Sequence, residues 1–144
     1  MRIDYNKVSP EVPKAIYGMD VQVEKSGLEK GLVHLLKLRA SQINGCAYCV
    51  DLHSAEARKG GETERRLYSV VVWRESSLFT PRERAALAWT EAVTLLAETH
   101  VPEDVYQELL KNFSEKEAVD LTLAIIAINA WNRLAVSFRK LPPE

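Results

Sequence analysis

Only two of the 144 residues are cysteine, Cys46 and Cys49, and one such pair cannot build a framework of structural disulfides. Glycine and proline are sparse, six of each, which excludes collagen-like and mucin-like chains. Neither sign of charge predominates. Nineteen Lys and Arg face 20 Asp and Glu, a net charge of −1, so there is no electrostatic footprint for nucleic acid or an acidic membrane surface. No apolar run continues unbroken for the ~20 residues that a membrane span needs. The most apolar stretch, 118–136, carries Asp120, Thr122, Asn129, Asn132 and Arg133. The first residues, Met1-Arg2-Ile3-Asp4-Tyr5, offer neither an apolar leader core nor a small-residue cleavage site. The expectation is a cytoplasmic protein with no nucleic-acid and no membrane partner, in a compartment where thiols are kept reduced.

What is present is a core. With 47% apolar and 27% charged residues, the chain is long enough for one compact domain, 1–144. Ser9-Pro10-Glu11 supplies a cap, a proline at the first helical position and an acid in the first turn, and Gly27 supplies the stop. From Glu29, the residues Leu32, Leu35, Leu36 and Ile43 fall on one helical stripe that breaks at Asn44-Gly45. A third helix runs from about Cys46 to Lys59, and a short fourth from about Thr63 to Val72. Thr80-Pro81-Arg82-Glu83 and Ser114-Glu115-Lys116-Glu117 are capping boxes. The first opens an amphipathic helix continuing through Leu96; the second opens a long apolar helix ending near Arg139. A shorter helix, Pro102 to Lys111, lies between them. No segment alternates as a strand does, and the β-branched Val70-Val71-Val72 is too short to count. The fold class expected is therefore all-α, a compact domain of about six to seven helices. The last helix, apolar nearly all round between Leu121 and Val136, needs cover on more than one side, and a subunit interface is the economical cover.

The concentrated chemistry lies in Asn44-Gly45-Cys46-Ala47-Tyr48-Cys49-Val50-Asp51-Leu52-His53. Gly45 permits a sharp turn, so Cys46 stands at the start of a helix and Cys49 one turn later on the same face. Free amides and the positive end of the helix dipole favour thiolate there. His53, four residues beyond Cys49, can take the thiol proton and return it to a leaving group. Cys49 is thus the candidate attacking thiolate, with Cys46 placed to resolve a sulfenic acid into a disulfide. Other readings stay open: Cys46, Cys49, His53 and His34 could form a tetrahedral zinc set, or the cysteines could be inert core residues. A c-type haem site is excluded, because Val50 rather than His follows the second cysteine. Trp73, Trp89 and Trp131 read as core or interface residues, and Asn129 and Asn132 as groups needing partners inside the fold or across a subunit boundary.

This segment, together with Glu62-Thr63-Glu64-Arg65-Arg66-Leu67, Phe79-Thr80-Pro81-Arg82-Glu83-Arg84 and Asn129-Ala130-Trp131-Asn132-Arg133, resembles the alkylhydroperoxidase D-like branch of the carboxymuconolactone decarboxylase family. The resemblance covers most of the chain. It implies an all-helical fold, a homo-oligomer (trimer or hexamer), a small hydroperoxide substrate and a dithiol electron donor such as a lipoyl protein, with no cofactor. It also implies Cys49 as peroxidatic cysteine, Cys46 as its partner and His53 as base. The decarboxylase side of the family does not need the cysteine pair, which argues against that activity. Two positions depart from the pattern. Twelve residues before the first cysteine the family commonly carries a relay Glu, where this chain has His34, and Tyr48 replaces a His before the second cysteine. His34 can carry a proton but no fixed negative charge, so another acid is needed, and Glu24, Glu29 and Glu56 are the candidates. Tyr48 can donate a hydrogen bond to the relay or simply pack.

Overall fold

The computed structural model describes residues 1–143. Among them the chain forms α1 (Tyr5–Val8), α2 (Glu11–Lys25), α3 (Lys30–Ile43), α4 (Ala47–Lys59), α5 (Glu64–Ser69), a 3₁₀ helix (Val70–Glu75), α6 (Pro81–Thr94), α7 (Leu96–Thr99), α8 (Glu103–Asn112) and α9 (Glu115–Phe138). The described residues contain no strand, so the all-α expectation holds. The additional segments are single turns. Asp4 caps α1 through Asn6 N–H, and Ser9 closes that turn by donating to Tyr5 C=O. The cap expected from Ser9 does not form: Pro10 stands at the cap position of α2, which starts at Glu11 without a side-chain cap. The helix expected to run through Leu96 stops at Thr94, and Thr99 Oγ1 folds the next turn back by donating to Ala92 C=O at 2.7 Å. The fourth predicted helix tightens after Ser69 into the 3₁₀ segment, where Val72 leaves helical geometry and Trp73 is buried.

Both predicted capping boxes form. Thr80 and Ser114 accept from the N3 amides of Glu83 and Glu117, whose carboxylates accept from the cap N–H groups at 2.8 Å. Arg82 then ties three helix starts together, with Nε 2.7 Å from Glu29 and Nη2 2.7 Å from Glu117. Helix α9 packs against α2, α3 and α6. Leu121, Ala124, Ile125 and Ile128 are fully buried there against Leu36 and Ala40 of α3. Each large aliphatic side chain so buried contributes about 1.5–3 kcal/mol. The monomer covers one stripe of α9, including Leu121, Ile125, Ile128 and Asn132, and leaves Val119 and Ile126 exposed.

The pairing of α3 with α4 positions the chemistry. Gly45, at φ +65°, makes the reversal between them, a conformation that costs an L side chain strain. Asn44 beside it donates to Asn129 and Asn132 of α9 at 3.1 and 2.9 Å. Asn132 in turn donates to Ser41 of α3 at 3.0 Å, and Asn129 to Thr94 of α6. The two asparagines of the apolar helix thus find their partners inside the fold, and they hold the turn preceding Cys46.

Candidate active site

Helix α4 buries a single stripe, Cys49, His53 and Ala57, at successive i, i+4 positions. Cys46 is the N-cap residue, and its sulfur accepts from Cys49 N–H at 3.3 Å. The two cysteines are joined as a disulfide with their Cα atoms 5.3 Å apart, within the span a disulfide bridges. Both are buried, Cys49 at 3% and Cys46 at 1% exposure, but Cys49 lines a cavity of about 530 Å³ together with His53, His34, Tyr48 and Glu56, and Cys46 does not line it.

His53 is buried, and its Nδ1 lies 2.8 Å from Glu56 Oε2. An ionised carboxylate can only accept, so the contact places the hydrogen on Nδ1 and leaves Nε2 with the free lone pair. The His53 hydrogen bond lowers the Glu56 pKa below its ordinary value, against an opposing effect of burial. Glu56 is therefore a carboxylate at neutral pH. Of the three acids considered from sequence, Glu56 joins His53. Glu24 stands elsewhere on the cavity wall, and Glu29 is bound to Arg82. The missed signal was local, because Glu56 follows His53 by three residues on one helix, a spacing that brings side chains together.

His34 of α3 comes to the other side of the same carboxylate, its Nδ1 3.8 Å from Glu56 Oε2. That is beyond hydrogen-bond range, and this buried nitrogen has no partner. Burial is the main cause that lowers the His34 pKa, with the Glu56 charge opposing. The ring is therefore neutral above its ordinary value of 6.5.

Tyr48 is half-buried, and Lys140 Nζ sits 4.1 Å from its ring centroid and 5.8 Å from that of Tyr5. Burial works against the Lys140 charge, but hydrogen bonding and attraction involving Tyr48 and Tyr5 outweigh it and raise the pKa. Trp131, expected as core or interface, lines the cavity and donates to Asp20 at 2.7 Å. Asp20 also holds Lys37 at 2.7 Å. Sequence reasoning named neither Asp20 nor Lys140, since α2 and the C-terminal segment reach the site only through tertiary packing.

Chemically, the arrangement is a disulfide-bonded cysteine pair of which Cys49 lines a cavity, with an imidazole one helical turn away that is hydrogen-bonded to a carboxylate. Residues 10–92, which include the whole cysteine and histidine segment, match the model of the carboxymuconolactone decarboxylase family. The uncharacterized protein YdfG of Bacillus subtilis (strain 168) is 38% identical over 136 residues, 94% of this chain and 92% of its own length. A crystal structure from Agrobacterium tumefaciens, of a protein of unknown function provisionally named as the antioxidant defence protein AhpD, superposes with a TM-score of 0.96. It is 50% identical and covers 99% of this chain and 98% of that one. The debrominase Bmp8, crystallised with 2,3,4-tribromopyrrole, shares the fold at a TM-score of 0.81 and 20% identity, over 91% of this chain and 70% of its own.

Proposed function

Because the chain belongs to the carboxymuconolactone decarboxylase family, and its dithiol meets a cavity beside a carboxylate-oriented histidine, we propose that it reduces small hydroperoxides at Cys49. His53 Nε2 takes the Cys49 thiol proton. The thiolate attacks the terminal peroxide oxygen, the O–O bond breaks, and the departing alkoxide regains that proton from His53 as the alcohol. Cys49 is left as a sulfenic acid. The Cys46 thiol attacks the Cys49 sulfur, releases water and closes the disulfide. An external dithiol such as a lipoyl group then exchanges with the bridge, restoring both thiols while it is oxidised to its own disulfide. Glu56 positions His53, and His34 and Tyr48 serve as further proton carriers.

The observation that carries this reading is that Cys49, and not Cys46, lines the cavity shared with His53 and Glu56. Mass spectrometry after one equivalent of cumene hydroperoxide tests it. The wild-type protein should lose two hydrogens, Cys46→Ser should stop at a sulfenic acid trapped on Cys49, and Cys49→Ser should consume no peroxide. Thiols that stay free after oxidant treatment would end the proposal. Aromatic walls contributed by Tyr5, Tyr17 and Trp131 favour one second reading, reduction of a halogenated aromatic by the same dithiol. Bromide release from a brominated pyrrole, with no turnover of hydroperoxide, would select it. The homo-oligomer implied by the family would cover the exposed Val119 and Ile126, and the mass in solution of Val119→Glu/Ile126→Glu against wild type checks that cover.

A further inference from the structure

His34, His53 and Glu56 each offer one ligand atom, and these atoms lie within 4.8 Å of one another. Glu56 Oε2 is 2.8 Å from His53 Nδ1 and 3.8 Å from His34 Nδ1, and an ion seated between them would displace to solvent the hydrogen that His53 Nδ1 donates to Glu56. Around a tetrahedral zinc ion with bonds of about 2.0–2.1 Å, neighbouring ligand atoms stand roughly 3.3 Å apart, a spacing between those two. The His34 nitrogen is buried with no hydrogen-bond partner, so its desolvation is uncompensated. The proton relay leaves it unsatisfied. The nearby cation Lys37 is neutralised by Asp20 at 2.7 Å. Cys49 opens on the same cavity and precedes His53 by one turn of α4.

We propose that the reduced chain binds one Zn²⁺ through His34, His53, Glu56 and the Cys49 thiolate, and that the Cys46–Cys49 disulfide, formed from the metal-free dithiol by a hydroperoxide that is itself reduced to alcohol and water, lacks the sulfur ligand and does not hold the ion. This set differs from the two-cysteine, two-histidine set that the sequence allows. Cys46 is 1% exposed and turned away from the cavity, and Glu56 takes its place. Zinc uptake stands independently of any activity. Its consequence, that bound zinc withholds Cys49 from oxidants, rests on the peroxidase reading above.

Anaerobic titration with Co²⁺ as spectroscopic probe, and with Zn²⁺ against a chromophoric chelator, tests the site. The reduced protein should take up one ion per chain with a sulfur-to-cobalt charge-transfer band. The disulfide form should bind at least about tenfold more weakly and show no band. Cys46→Ser should keep the band and Cys49→Ser should lose it, and His34→Ala or Glu56→Gln should each weaken binding by at least about tenfold. No stoichiometric uptake by the reduced protein overturns the inference. So does a band that requires Cys46, full affinity without His34 and Glu56, or equal affinity in both redox states. One equivalent of Zn²⁺ should also block oxidation of Cys49 by cumene hydroperoxide, and a chelator should restore it. Uptake as described without that block refutes the inhibitory consequence alone. Peroxide reduction without any zinc uptake refutes the site and leaves the peroxidase reading intact.

Discussion

Replacing Glu56 by Gln removes one charge and almost no volume, and it isolates what the carboxylate does for His53. The glutamine carbonyl can still accept from His53 Nδ1–H, so the tautomer with a free Nε2 is retained. What is lost is the charge assistance of a contact that now measures 2.8 Å. Hydrogen bonds to charged groups contribute about 1.5–3 kcal/mol. The Glu56 side chain is 44% exposed, so solvent screening argues for the low end of that range, about 1.5 kcal/mol or a factor of about ten. In the proposed mechanism the loss falls on the step in which His53 carries the positive charge, the formation of the Cys49 thiolate. Stopped-flow oxidation of pre-reduced protein by cumene hydroperoxide, read as thiol loss in a single turnover, should therefore slow about tenfold in Glu56→Gln. The difference depends on pH with a definite sign. The Glu56 pKa is depressed, chiefly by the His53 hydrogen bond. The wild-type advantage is thus complete above the ordinary carboxylate value of 4.5 and disappears as pH falls through the lowered one. Equal rates for the two proteins at neutral pH, with an unchanged melting curve, would refute the role assigned to Glu56.

The buried polar network gives a stability prediction. Asn132→Ala removes the acceptor of Asn44 and the donor to Ser41 at a site 1% exposed, costing about 2 kcal/mol, or roughly 4–8 °C in Tm by calorimetry. His34 gives a second. Its pKa is held below the ordinary 6.5, chiefly by burial, so the unfolded chain binds more protons on acidification. This contribution is complete above pH 6.5 and lost as pH falls toward the lowered value. Urea unfolding at about pH 7.5 and about pH 5.5 should show a smaller loss in His34→Gln than in wild type, and identical losses would contradict the burial argument.

Legibility in the sequence tracked how local each determinant is. The seven longer helices were readable because caps, glycines and apolar stripes act within a few residues, as Thr80 with Glu83 and Asn44 with Gly45 do. The one-turn segments α1 and α7 were not, because a single turn has no period to detect and owes its existence to tertiary contacts such as Thr99 to Ala92. Cys46, Cys49 and His53 were legible as a face since they share α4. Glu56 was equally within reach of the helical rule, yet it was weighed evenly with Glu24 and Glu29. Asp20, Lys140 and Tyr5 were out of reach, because α2, the C-terminal segment and the N-terminus converge only after α9 is packed. The same packing turns Asn129 and Asn132 of α9 toward partners inside the fold and leaves Val119 and Ile126 as its exposed large apolar side chains.

The sealed position of Cys46 constrains how the proposed cycle closes. Reduction of the bridge requires an external thiolate to approach one sulfur along the S–S axis, and Cys49 is the sulfur that meets the cavity. Peroxide and reductant must then enter through one opening and address the same atom, at different oxidation states of the pair. Two substrates that use one site in alternation give ping-pong kinetics. A reductant analogue without a thiol should compete with peroxide for the reduced enzyme, because both fill the same roughly 530 Å³. Dihydrolipoamide as donor and its thioether analogue as inhibitor make the test. Parallel double-reciprocal lines for the substrates, and competitive inhibition against hydroperoxide at saturating dihydrolipoamide, are expected. Intersecting lines would mean that both substrates bind at once, which a single opening onto Cys49 forbids.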